Sequence, residues 1–152
     1  MWQFSGAKCT KYGSSLTFAL YCCDFSPLAR NLLATKVEAP PSDWRANHPR
    51  YSQQNLEANQ KILDIIKGLG VKYDCSAAQL SLAWLFHKAD ELGVSVIPIP
   101  GSTKIHNVLG NLGAVKIIIS DDDCKTLEGL AGQVAGERAN DQYLSRSIES
   151  QK

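Results

Sequence analysis

The stretch VSVIPIPGSTKIHNVLGN, Val94 to Asn111, constrains the fold more than any other. It reads as a short buried strand over Val94 to Ile99, a break at Pro100-Gly101, and a helix opening near Ser102 to Lys104. A strand that stops at a glycine and hands over to a helix leaves unpaired N–H groups at the helix start. Together with the positive end of the helix dipole they make an anion site. Gly101 lets an anion approach the backbone, Ser102 and Thr103 add hydroxyl donors, and Lys104 adds a charge. The same pattern also suits a plain capped connection with a surface lysine, because strand–Gly–helix joins are common in α/β proteins.

At 152 residues and 44% hydrophobic content, the chain suits one domain, or part of one, with a packed core. A formal net charge of +1 and the lack of any long basic run give no case for nucleic acid. No apolar stretch is long enough to span a membrane. The start, MWQFSGAKCTKYG, lacks the basic-then-apolar order of a secretory signal. Cys9, Cys22, Cys23, Cys75 and Cys124 form no CxxC pair and no zinc spacing, so no metal is expected. An odd, scattered set of this kind reads as reduced thiols in a cytoplasmic protein.

Residues 1–15 are weakly patterned and read as a divergent start. Leu16 to Asp24 is rich in β-forming and apolar types, which predicts a strand buried on both faces and ending at Phe25-Ser26-Pro27-Leu28. Leu32 to Tyr51 carries three prolines and reads as an irregular loop, long enough to suspect a function. The spacing of Leu56, Ile62, Leu63, Ile65, Ile66 and Leu69, on or near one side, predicts a helix over Gln54 to Leu69, with Gly70 as its stop. Ser76 to Gln79 fits a capping box that opens a second helix to about Leu92, with Leu80, Ala83, Trp84 and Leu85 facing inward. Lys116 to Ile119 reads as a short extended piece. Ser120 then caps a last helix whose first turn, Asp121-Asp122-Asp123, is acidic as the dipole prefers. Residues 136–152 form a polar tail. Strands alternating with helices predict a parallel α/β arrangement, although only two strands are convincing.

Four landmarks follow one another: FSPLAR, NHPRYSQQNLEANQ, CSAAQLSLAWLFH and VIPIPGSTKIHNVLGNLGA. Together, across residues 16–135, they resemble the C-terminal part of the aldo-keto reductase family, closest to its plant and microbial NADPH-dependent branch. The family pattern has a YSPLGRG-type strand end, an HPRF segment, a TPAQLALAW helix and an IPGTTKIxNLxENIGA motif. The resemblance implies a (β/α)₈ TIM barrel, of which this chain would hold an incomplete C-terminal portion of about two strand–helix units. Loops after the last strands of such barrels commonly hold phosphate.

Carried over by position, the resemblance implies a cofactor site for NADPH. Phe25 stands where the family places an aromatic that stacks on the nicotinamide; on its own it reads as a core aromatic at a strand end. Ser26, Pro27 and Leu28 match the loop passing the pyrophosphate. Arg30 matches that loop's arginine, with Ala29 and Asn31 replacing its flanking glycines, a change that can block positive φ. Gly101, Ser102, Thr103 and Lys104 match the segment around the 2′-phosphate, which favours NADPH over NADH. Asn107 lies near another phosphate-facing position, and Asn111 matches an asparagine bonded to adenine. Gly110 replaces the neighbouring glutamate and weakens the helix by roughly 1 kcal/mol relative to alanine.

The resemblance also says what is missing. The family's proton-donating tyrosine, its lysine and aspartate partners and its substrate-orienting histidine sit on early strands upstream of this chain. Tyr12, Tyr21, Tyr51, Tyr73 and Tyr143, and His48, His87 and His106, match none of them, so no catalytic residue is assigned. A barrel of this kind needs about 250 residues and eight paired strands. Two strands leave unpaired edges, so Val96, Ile97 and Ile99 are expected to lose contacts and association with another chain would cover them. The preferred reading is part of an NADPH-dependent reductase of small aldehydes and ketones. The other readings are a catalytically inactive NADPH-binding module or regulatory subunit, and a degenerate, poorly folded fragment.

Overall fold

The computed structural model describes residues 8–12 and 19–137, with backbone only before Ser26. Three strands, β1 (Lys8–Tyr12), β2 (Ala19–Phe25) and β3 (Ser95–Ile99), form one sheet in the order β1-β2-β3. Among the described residues four α-helices accompany it: α1 (Gln53–Lys72), α2 (Ala77–Glu91), α3 (Ile105–Gly113) and α4 (Asp121–Ala131). The β2–β3 pair is parallel, as alternation of strand and helix predicts, and β1 runs antiparallel to β2. What the described residues form is a partial α/β unit with no closed barrel.

β1 lies inside the segment read as weakly patterned. Its sequence, KCTKY, places lysines on a strand at the sheet margin, where charge is tolerated and apolar periodicity is not required. Residues 13–18 and 138–152 lie outside the described set. So do the side chains of β2, and with them the expectation of burial on both faces.

Burial of β3 is corrected. Ile97 and Ile99 are 53% and 48% exposed, alternating with half-buried Val96 and Pro98. Contact with α2 covers one side of the strand, and among the described residues nothing covers the other.

α1 begins at the Ser52 cap, whose Oγ accepts from the Asn55 N–H at 3.4 Å. It does not stop at Gly70 but runs through it to Lys72. The glycine serves close approach instead. A Cβ there would lie 2.6 Å from the Cys75 carbonyl oxygen, where the chain folds back and the Cys75 N–H donates to the Gly70 carbonyl at 2.9 Å. Asp74 makes the reversal at φ 49°.

The capping box of α2 is formed as the sequence predicts. The Gln79 N–H donates to Ser76 Oγ at 3.2 Å, and the Ser76 N–H donates to Gln79 Oε1 at 3.0 Å. Ser120 caps α4 through the Asp123 N–H. The extended piece expected over Lys116 to Ile119 starts one residue later, because Lys116 belongs to the preceding turn. Ala114–Lys116 is a 3₁₀ turn, Ile117 after it is extended, and among the described residues no strand pairs with this piece.

The core lies where α1, α2 and α4 meet, around Leu63, Ile66, Leu80, Trp84 and Leu127. A smaller cluster joins Leu32, Tyr51 and Leu56 beneath the loop after β2. Buried Asn59 pins the far end of the described chain, donating to the Ala135 carbonyl and accepting from the Ala135 N–H, both at 3.0 Å. α3 is different. It is the most apolar of the helices, yet it has no buried residue, and Ile105, Val108, Leu109 and Leu112 form an exposed stripe at helical spacing.

Candidate functional site

β2 and β3 are parallel and end together, with Phe25 the register partner of Ile99. The loop that follows each strand therefore leaves from the same end of the sheet, which is where open α/β sheets place ligands. This brings the Ser26–Arg30 group and the Gly101–Lys104 group to one edge. Phe25 occupies the last position of β2; its side chain is outside the described set.

The loop after β2 is wound into the left-handed region. Ser26, Ala29, Arg30 and Asn31 have φ of 58°, 48°, 55° and 90°. Ala29 and Asn31 thus adopt positive φ without the glycines the motif would supply, at a cost of about 1–2 kcal/mol for alanine and less for asparagine. Hydrogen bonds hold the winding. Ala29 N–H donates to Ser26 O at 2.9 Å, Asn31 N–H to Leu28 O at 3.0 Å, and Asn31 Nδ2 to Thr35 Oγ1 at 2.6 Å. Pro27 is buried, and Leu28 packs against the main core.

The segment from 32 to 51 contains two 3₁₀ turns, Trp44–Asn47 and Pro49–Tyr51. Tyr51 is buried and its hydroxyl donates to the Arg30 carbonyl at 2.5 Å, so burial pushes the phenol pKa up. Asp43 caps the first turn through the Arg45 N–H at 2.9 Å. It also takes a two-pronged bond from the Arg45 guanidinium, at 3.0 Å to Oδ1 and 2.8 Å to Oδ2. That guanidinium holds the Asp43 carboxyl below the ordinary range. Sequence reasoning did not name Trp44, Arg45 or Tyr51 as site residues; the length of the loop and the NHPRY landmark were the available signals.

After β3, Gly101, Ser102, Thr103 and Lys104 are all exposed, and a Cβ at Gly101 would meet nothing within 4 Å. Ser102 Oγ accepts from the Lys104 N–H at 3.1 Å and lies 3.3 Å from its carbonyl, fixing the turn. The helix opens slightly later than its sequence suggests, at Ile105, with Lys104 as cap and no side-chain cap bond. Among the described residues no carboxylate pairs with Lys104. Asn107 and Asn111 follow on one side of α3, the first exposed and the second half-buried. A Cβ at Gly110 also meets open space, so what the position lacks is a hydrogen-bonding group and not room for one.

Two other polar clusters are structural. Tyr73, Lys72 and Asp123 place a phenol, an ammonium and a carboxylate together, but Asp123 sits in the first turn of α4 beside its Ser120 cap. Lys72 Nζ donates to it at 2.6 Å, and the Tyr73 hydroxyl donates to the same carboxylate. These bonds hold the Asp123 carboxyl at about 2. A cavity of about 420 Å³ lies between α2 and α4, lined by residues that include His87, Cys124 and Glu128. Two of its carboxylates, Glu91 and Glu128, are bridged by Lys88, and burial pushes the Cys124 thiol up to about 11, which disfavours the reactive thiolate. Among the described residues no group of side chains could hold a metal ion, and no helix is long and apolar enough to cross a membrane.

The α/β unit with paired strand-end loops is matched over residues 8–131 by the Aldo/keto reductase family, and the chain belongs to that family. It is similar to "Probable aldo-keto reductase 1" of Glycine max, 38% identical over 119 residues that cover 75% of this chain. The chain spans about a third of that relative's length, 33%. The match begins within residues 1–15, and takes in β1.

Proposed function

We propose that this chain is the nucleotide-holding part of an NADPH-dependent oxidoreductase that reduces small aldehydes and ketones. In this reading it forms the last two strand–helix units of a (β/α)₈ barrel. The observation that carries it is the Phe25–Ile99 register, which sends both loops from one sheet edge. Family membership makes NAD(P)H the expected cofactor class.

The residues present suit such a group. Gly101 is open to close approach, and Lys104, with no carboxylate beside it among the described residues, offers its charge to a 2′-phosphate dianion. Thr103 and Ser102 add hydroxyls at the same turn. Asn107 and Asn111 continue the contact along α3, the second toward adenine. Ser26 and Arg30 line the path of the pyrophosphate, Pro27 and Leu28 anchor that loop on the core, and Phe25, at the end of β2, is the position beside the nicotinamide. When bound, the cofactor supplies the hydride. This chain's part is to fix and orient it; the proton donor of the family's reaction has no counterpart at the matching positions here. In this reading the protein is cytoplasmic, and the uncovered faces of β3 and α3 pack against the remainder of the family fold.

Titration of the 152-residue chain with NADPH and with NADH, followed by calorimetry, tests the reading. Saturable binding at least ~10-fold tighter for NADPH is expected. Heats equal to buffer blanks for both nucleotides would overturn it.

A further inference from the structure

Beside the loop after β2 stand an indole and an imidazole that the nucleotide reading leaves unused. Trp44 is 60% exposed, with the Arg30 guanidinium 5.7 Å from its ring centroid and the His48 ring 5.3 Å away at 83°. His48 joins the two 3₁₀ turns. Its N–H donates to the Arg45 carbonyl and its carbonyl accepts from the Tyr51 N–H, both at 2.9 Å. Its Nδ1 is buried and, among the described residues, meets no hydrogen-bond partner. The other charged and titratable groups nearby are engaged elsewhere. Asp43 is held by Arg45, the Tyr51 hydroxyl by the Arg30 carbonyl, and Arg50 Nε donates to the Gly136 carbonyl. Arg30 is the charge that acts on the imidazole.

We propose that Arg30, Trp44 and His48 form a proton-sensitive clamp. With His48 neutral, the clamp holds the turns of residues 44–51 against the loop after β2; protonation releases them and weakens nucleotide binding at that loop. Only the last consequence rests on the nucleotide site proposed above. The clamp itself rests on the side-chain geometry.

A second proton turns both ring nitrogens into donors. One of them is buried with no acceptor for its hydrogen among the described residues, and the new charge lies beside Arg30. Attraction to the Trp44 ring offsets this only in part, because Arg30 already lies against that ring. Burial, and then Arg30, hold the imidazole below its ordinary 6.5. The closed clamp therefore binds fewer protons than the open one, and closure is favoured at neutral pH and lost as pH falls below 6.5.

The emission of an indole changes when its ring contacts change, so loss of the His48 contact lets the ligand-free chain report on its own clamp. Its tryptophan emission, followed from about pH 8 to about pH 5, is expected to show a step with a midpoint below the ordinary histidine value. The step should vanish in both His48→Gln and Trp44→Phe. No step in the native chain, or a step that survives in His48→Gln, overturns the clamp. NADPH affinity should then fall, between about pH 7.5 and about pH 5.5, at least ~3-fold more in the native chain than in His48→Gln. Titration of the 2′-phosphate is common to both and cancels. An equal fall in the two chains breaks the link to binding. A fluorescence step with no NADPH binding at either pH leaves the clamp standing and removes the nucleotide reading.

Discussion

The Tyr51 hydroxyl reaches across to the Arg30 carbonyl, at 2.5 Å, and joins the start of α1 to a loop that four positive φ angles have wound tight. Tyr51 is among the most completely buried large side chains described. It ties the strand-end loop to the helical layer, and the predictions begin with it.

Tyr51→Phe removes the donor and leaves the ring. The Arg30 carbonyl loses a partner in a partly buried setting, so the chain should lose about 1–2 kcal/mol of stability. A urea midpoint that moves down with an unchanged slope would check this, and an unmoved midpoint would show that the bond contributes nothing net.

Ala29→Gly should raise stability. Relief of a left-handed alanine is worth about 1–2 kcal/mol, while the added freedom of the unfolded chain returns about 0.4–1 kcal/mol, leaving a small net gain. Asn31→Gly should not gain, because asparagine tolerates this region and the variant loses the bond to Thr35 Oγ1. Equal shifts of thermal midpoint in the two variants would contradict the ordering.

Gly70→Ala should destabilise by about 1–3 kcal/mol, because the new methyl would sit 2.6 Å from the Cys75 carbonyl oxygen. Gly110→Ala, with open space around its Cβ, should stabilise α3 by roughly 1 kcal/mol. Denaturation of the two variants side by side separates close approach from helix propensity.

Lys104→Ala should weaken NADPH binding at least ~10-fold and NADH far less, since only the first carries the dianion. Equal losses for both nucleotides would remove Lys104 from the 2′-phosphate.

Acid should find the α4 cap. Bonds from Lys72, Tyr73 and Ser120 depress the Asp123 carboxyl from 3.8 to about 2. A depressed carboxyl contributes stability above its unfolded value and loses it as pH falls through the folded one. That contribution should fade between about pH 4 and about pH 2, and Asp123→Asn should flatten the stability profile over that window alone.

Local signals served the helices well. The Ser76–Gln79 box and the Ser120 cap were legible because a cap is written within four residues. Gly70 was misread because its purpose lies in the Cys75 carbonyl that returns over it, which no spacing rule encodes. β1 escaped notice because a strand at a sheet margin needs no apolar period. Val94 to Ile99 reads as a buried strand because aliphatic runs usually are; the exposure of Ile97 and Ile99 instead follows the expectation that an incomplete sheet leaves them short of contacts. At the candidate site, the strand–turn–helix join from Gly101 to Lys104 was legible, and the contacts of Tyr51 and Trp44 were not. Both residues act through long-range contacts to Arg30, across 21 residues in the case of Tyr51.

The stripe along α3 has a practical meaning for anyone handling the chain. Ile105 is 79% exposed, and the neighbours on its face are aliphatic as well. Water is a poor solvent for such a helix, so the free energy of the dissolved chain rises with every copy added until meeting another oily surface is the better option. Its working range is thus set by a solubility ceiling that dyes sensitive to apolar surface would detect in the native state, well before any heating.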